Sequence, residues 1–117
     1  MNSLRNRVQL IGNLGMDPEV KSLTSGKKMV KFSVATSESY KNSEGEKVTD
    51  TQWHNIVAWD GVGSIAEKFL KKGSQVALDG KLNHRTYDDA NGQKRYFTEI
   101  VVNEIVLLKS KSESVFE

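Results

Sequence analysis

Thr51-Gln52-Trp53-His54-Asn55-Ile56-Val57-Ala58-Trp59 runs, after Asp60-Gly61, into a segment in which Val62, Ile65, Ala66, Phe69 and Leu70 are the recurring apolar residues. Across this stretch the apolar period changes from that of a strand to that of a helix. In the strand, Gln52, His54, Ile56 and Ala58 share one face, and Trp53, Asn55, Val57 and Trp59 share the other. Ser64 followed by Glu67 has the form of a capping box, and Lys71-Lys72-Gly73 closes the helix with cations and a glycine.

Strands flank this pair on both sides. Upstream, Arg7 to Leu14 alternates Val8, Leu10, Gly12 and Leu14 against Arg7, Gln9, Ile11 and Asn13, and Gly15-Met16-Asp17-Pro18 turns the chain. After a second turn at Ser25-Gly26-Lys27, Met29 to Ser37 forms a strand with Val30, Phe32 and Val34 inward, and Asn42 to Glu46 makes a polar hairpin loop. Downstream, a strand from Gln75 turns Val76, Leu78 and Leu82 inward and Lys81, Asn83, Arg85 and Tyr87 outward. Asn91-Gly92 signals a hairpin, and the last strand runs from Lys94 to Leu108. From Ile100 onward it is apolar on both faces apart from Asn103 and Glu104, which calls for a second cover such as a subunit interface. Three strands, a helix and two strands is the order of an all-β OB fold, a five-stranded Greek-key barrel with its helix between strands three and four. The expected organisation is one domain over residues 1–109 and a short tail over 110–117.

Composition narrows the function. The chain has 117 residues, enough for a single core, and no apolar run long enough to span a membrane. It contains no cysteine, which excludes disulfides and thiolate chemistry and fits a cytoplasmic location. The net charge of +2 is small, but the cations come in pairs: Arg5 and Arg7, Lys27 and Lys28, Lys71 and Lys72, Lys94 and Arg95. Such pairs are ordinary solvated surface unless they border a binding face.

The aromatic residues decide between those readings. Trp53 and Trp59 lie on one strand face, roughly 20 Å apart at about 3.3 Å per residue. Either they pack beneath a neighbouring strand, subunit or loop, or they are solvated rings offered to flat partners such as nucleobases. Tyr87 shares an outer face with Lys81 and Arg85. Tyr40 has inner parity, and reaches outward only if its strand bulges or lifts off the barrel. Rings interleaved with cations suit a sequence-tolerant single-strand binder, with bases stacked and phosphates neutralised.

Several segments in order carry a resemblance: Val8 to Gly15 with Asp17-Pro18-Glu19-Val20, Ala35 to Tyr40, Trp53-His54, Lys72 to Val76, and Gly92-Gln93 with Arg95-Tyr96. Over about Arg5 to Leu108 the chain resembles the bacterial single-stranded DNA-binding protein family. The resemblance implies an OB barrel, a homotetramer with strand-one pairing, and single-stranded DNA as partner in replication, recombination and repair in the bacterial nucleoid. It implies base stacking on Tyr40, Trp53, Trp59 and Tyr87, and phosphate contact by Arg7, Lys21, Lys72, Arg85 and Arg95. Asn55 and Asn83 stand where many relatives have arginine, which implies fewer ionic contacts. His54, on the inward face, is expected to be a hydrogen-bonded residue of the core or of a subunit contact, not a metal ligand. No cofactor, metal or catalytic residue is expected. Tyr96, Phe97 and Glu99 read as packing and edge residues.

Family members usually continue into a flexible linker and an acidic tip that recruits replication and repair enzymes. Residues 110–117 hold no acidic run, so recruitment of such partners is not expected. Two other readings differ in kind. An adaptor resembling primosomal replication protein N would be a dimer with fewer aromatics. A small hydrolase or nuclease would need clustered carboxylates or histidines, and Asp88-Asp89, the adjacent acidic pair available, reads as part of a turn.

Overall fold

The computed structural model describes residues 4–109. Its elements are β1 (Val8–Leu14), β2 (Glu19–Ser22), β3 (Lys28–Lys41), β4 (Lys47–Trp59), α1 (Asp60–Phe69), β5 (Gln75–Asp88) and β6 (Lys94–Lys109). Hydrogen bonding runs β1-β5-β6-β4-β3-β2, and an added β1–β3 pairing closes five strands into a barrel. The all-β barrel with one helix before the fourth barrel strand is therefore as the sequence implied. The short β2 was not anticipated, because all four of its residues are exposed and leave no apolar alternation to read. The predicted tail, 110–117, lies outside the described residues.

Alternation fills the core. Val30, Phe32 and Val34 on β3 face Ala58, Ile56 and His54 across the β3–β4 ladder. Val76 and Leu78 on β5, Ile100 and Val102 on β6, and Leu14 on β1 complete the barrel interior, and Ala66 of α1, with Leu70 just after the helix, covers it. The helix begins earlier than the sequence indicated. Asp60 has φ 49°, a left-handed backbone that turns the strand sharply into the helix, and its Oδ1 accepts a bond from the Lys28 amide at 3.2 Å. Ser64 is consequently inside α1, so the expected capping box does not exist.

Two glycines let strands approach one another. A Cβ on Gly12 would lie 2.3 Å from the Ala35 carbonyl oxygen, where β1 crosses β3. A Cβ on Gly80 would lie 2.3 Å from the Val101 carbonyl oxygen, beside the Asp79/Gly80 register shift in the β5–β6 ladder. The remaining closure is a short parallel contact, Ile56 with Ile100 and Val57 with Val101.

Beyond that contact both hairpins continue without pairing to each other. One arm is the distal part of β3–β4; the other is the distal part of β5–β6. They make the molecule extended: the radius of gyration is 16.5 Å, against about 13 Å for a compact domain of some 100 residues. Both arms end in the same kind of turn. Asn42 Oδ1 accepts the amides of Glu44 and Glu46, and Asp89 Oδ1 accepts those of Asn91 and Gln93. Gly45 and Gly92 supply the positive φ, 81° and 78°, that each turn requires. The Asp88-Asp89 pair is thus turn chemistry, as read from the sequence.

Leu82, expected inward, has inner parity but sits past the barrel mouth and is 40% exposed. Gly80→Ala tests the closure. Its Cβ meets backbone, not a side chain that can swing away, so the substitution should cost about 1–3 kcal/mol. The urea midpoint should fall with little change in slope when measured at one protein concentration.

Candidate nucleic-acid interface

Four exposed rings lie on the arms, and a fifth, Phe69 of α1, lies elsewhere. Trp53 is 63% exposed, Tyr40 and Tyr87 are each 55% exposed, and Tyr96 is 78% exposed. Trp59 is only half-buried to half-exposed at the base of β4, opposite Met29. Of the two alternatives, solvated or packed, Trp53 follows the first and Trp59 lies between them.

Trp53 is seated by the β1–β2 turn. A Cβ on Gly15 would lie 2.3 Å from Trp53 Cζ3 and 3.0 Å from its Cη2, so the indole reaches across β3 and rests on bare backbone. The Gly15 amide is itself held by the Ser33 carbonyl at 3.0 Å. The indole thus has one side propped and most of its surface open to solvent.

Tyr40 is exposed without a bulge. The β3–β4 register continues uninterrupted to Tyr40 with Val48 and Lys41 with Lys47. The strand lifts off the barrel as part of the arm, which was one of the two routes expected. On the outer face of the same arm, Ser37 with Thr51 and Ser39 with Thr49 make hydroxyl rungs at 3.2 Å.

Three of the five cations expected at phosphates already have acidic partners. Arg7 Nε donates to Asp79 at 2.9 Å, Arg85 Nη2 to Glu99 at 3.1 Å, and Arg95 Nε to Asp89 at 2.8 Å. Lys21 and Lys72 are exposed. Lys21 lies on β2, and the Lys72 backbone amide is fixed by Asp17 at 2.8 Å. Asn55 and Asn83 serve as amide links: Asn55 reaches the Thr98 carbonyl at 3.5 Å, and Asn83 donates to Glu99 at 3.0 Å. The first of these joins the two arms just above the parallel closure.

His54 is half-buried, and its Nε2 lies 3.0 Å from Thr36 Oγ1. That agrees with a hydrogen-bonded residue. His84 likewise pairs with Thr98 Oγ1 at 2.9 Å. Among the described residues no group of three or more histidines, cysteines or carboxylates is placed to hold a metal.

Phe97 and Glu99, read from the sequence as packing and edge residues, are half-buried and buried respectively. Both have outer parity on β6, and both line a groove of about 260 Å³ with Lys31, Ser33, Asn55 and Val57. Phe97 and Asn55 also border a second groove between the arms, with Trp53 and Tyr96. The alternation in Arg95-Tyr96-Phe97-Thr98-Glu99 was legible, but nothing in it told which ring would face the groove.

Residues 5–108 match the single-strand binding protein family. The chain is 46% identical over 107 residues to single-stranded DNA-binding protein 1 of Chlorobaculum tepidum, an alignment covering 91% of this chain and 66% of that protein. It is 42% identical over 110 residues to single-stranded DNA-binding protein 1 of Xylella fastidiosa, covering 93% of this chain and 81% of that one. Among solved structures, a Plasmodium falciparum SSB complex with ssDNA superposes with a TM-score of 0.83 at 33% identity, covering 93% of this chain and 98% of the other.

Two outcomes follow from this geometry without any ligand. Gly15→Ala keeps an accessible backbone but must displace the Trp53 ring. In a Trp59→Phe background it should alter near-ultraviolet circular dichroism and tryptophan emission while leaving the fold intact. The second outcome concerns Asp89, whose pKa is lowered by the Gln93 amide first and by Arg95 next. A lowered folded-state pKa means the turn is fully held above the ordinary carboxylate range and loosens as pH falls through the depressed value. Protection of the Asn91 and Gln93 amides from exchange should persist at mildly acidic pH and vanish only below that range.

Proposed function

The chain belongs to the single-strand binding protein family, and we propose that it binds and protects single-stranded DNA without sequence specificity during replication, recombination and repair. The observation that carries this reading is Trp53: a large ring propped on Gly15, 63% exposed, on the outer face of a barrel arm. An exposed indole held in place loses little freedom on stacking, and every base offers a π face. Tyr40 and Tyr87 add further rings on the two arms. Trp59, half-covered, contributes less. This is a binding protein and not an enzyme.

Phosphate contact falls first to Lys21 and Lys72. Arg7 and Arg95 would have to exchange Asp79 and Asp89 for phosphate, so they contribute less net charge than their number suggests. Affinity therefore falls with salt, but with a shallow slope.

The proposed assembly is a homotetramer. Ile11, Ala77 and Val106 form one row across β1, β5 and β6, and Ile11 and Val106 are 62% and 48% exposed. Leu108, 47% exposed and of the same parity as Val106, extends this apolar row, which no described residue covers. His54 is proposed to lie near a subunit contact. The proposed location is the bacterial nucleoid. No helix among the described residues is long and apolar enough to cross a membrane.

Titration of tryptophan emission with oligo(dT) tests the reading, with native mass reporting the assembly. Quenching should be saturable. Trp53→Ala should weaken binding by roughly 1–3 kcal/mol and Trp59→Ala by less. Unchanged affinity in Trp53→Ala would remove the basis of the proposal. His54→Lys should loosen the assembly by placing a charge in a half-buried site, and a wild-type monomer at micromolar concentration by sedimentation would contradict the tetramer.

A further inference from the structure

We infer that Phe97 and Arg85 form a stacking subsite for one nucleobase, with Glu99 as the positioning residue that holds the guanidinium plane over the ring. This rests on the single-stranded DNA reading and assigns Arg85 a different chemistry within it: a flat surface, not a phosphate cation.

Arg85 and Phe97 are directly opposite each other on β5 and β6. The Arg85 Cζ lies 5.5 Å from the Phe97 ring centroid, within cation–π range. Glu99, two residues from Phe97 and on the same face, accepts Arg85 Nη2 at 3.1 Å and Asn83 Nδ2 at 3.0 Å. Its side chain is only 7% exposed, whereas that of Arg85 is 55% exposed. The guanidinium is therefore fixed at two points, ring beneath and carboxylate at the edge, and is still largely open to solvent.

Two ligand groups could approach it. A phosphate could use the N–H groups that Glu99 leaves open, but it would meet a charge already balanced by that carboxylate, and drawing Arg85 away would leave Glu99 buried with Asn83 as its remaining donor, which is costly. A base laid on the open face breaks nothing, because guanidinium planes stack on bases as aromatic rings do. Position favours the base as well. In strand order β4, β6, β5, the pair falls between Trp53 and Tyr87, and Phe97 borders both grooves that separate the arms.

The test measures affinity for oligo(dT) as a function of salt for the wild type and four variants, with thermal unfolding and native mass confirming fold and assembly. Arg85→Lys keeps the charge and loses the plane; affinity should fall about tenfold with the salt slope unchanged. Arg85→Gln loses the charge, and its slope should also stay unchanged, since the charge was already balanced. Phe97→Leu should weaken binding about threefold to tenfold at the same slope. Glu99→Gln frees the guanidinium for phosphate, so its slope should steepen by up to about 0.7. Wild-type affinity in Arg85→Lys, or a slope flattened by about 0.7 in Arg85→Gln, would make Arg85 an ordinary phosphate contact and overturn the subsite. In either case a Trp53-dependent affinity would leave the broader reading standing. No binding by the wild type would overturn both.

Discussion

The parallel contact of β4 with β6, Ile56 to Ile100 and Val57 to Val101, is the constraint on which the rest of the molecule depends. It closes the barrel with few backbone bonds, at one level. Above that level β4 and β6 diverge, each taking its antiparallel partner with it. The long β3–β4 and β5–β6 ladders, stable as hairpins through continuous registers, become arms instead of barrel wall. A longer closure would have turned Tyr40, which has inner parity, toward the barrel interior and closed the groove between the arms. The small residues at Gly12 and Gly80 serve the same end. They let β1 approach β3 and β5 approach β6 closely enough to complete the core below, so that the ladders above need not.

Charge on the arms is arranged against the simplest electrostatic picture. A positively charged trough would leave its arginines free. Here Arg7, Arg85 and Arg95 are each held by a carboxylate, and Asn55 and Asn83 occupy sites that could have carried more cations. Exposed ion pairs contribute little to stability, so their main consequence is geometric. Arg95 is tied to the turn through Asp89, and Arg85 is held over the Phe97 ring. What is given up in counterion release is regained as surfaces that are rigid and planar before any ligand arrives. Stacking on preset planes suits a strand of arbitrary sequence, because it asks nothing of the base edges.

The sequence was readable wherever side-chain parity was tied to a continuous ladder. Val30, Phe32 and Val34 against Ile56 and Ala58, the five barrel strands and the position of the helix all followed from periods of two and 3.6. The misreadings share one cause, a tertiary event that parity does not encode. Asp60 adopts a left-handed backbone, which starts α1 early and removes the expected cap at Ser64. Leu82 keeps inner parity past the end of the core and so emerges into solvent. Tyr40 does the same, and this time the alternative of lift-off was visible because Ser37-Glu38-Ser39 is too polar for a core. Resemblance to the family pointed to five cations, but it could not show that the charges of Arg7, Arg85 and Arg95 are already balanced.

Glu99 illustrates how such a surface is held together. A carboxylate beneath a face offered to a polyanion should weaken binding, and if it were free it would. It is buried, bonded on one oxygen by Arg85 and on the other by Asn83, so the field it presents outward is that of a closed pair. An arginine at the Asn83 position would instead leave a net positive charge there and no reason for Arg85 to lie still. The asparagine thus changes more than the count of cations. It satisfies Glu99 without competing for charge, which keeps Arg85 committed to Glu99 and over the Phe97 ring. Loss of a cation at one position and the gain of an ordered plane two residues along the same strand are parts of a single arrangement.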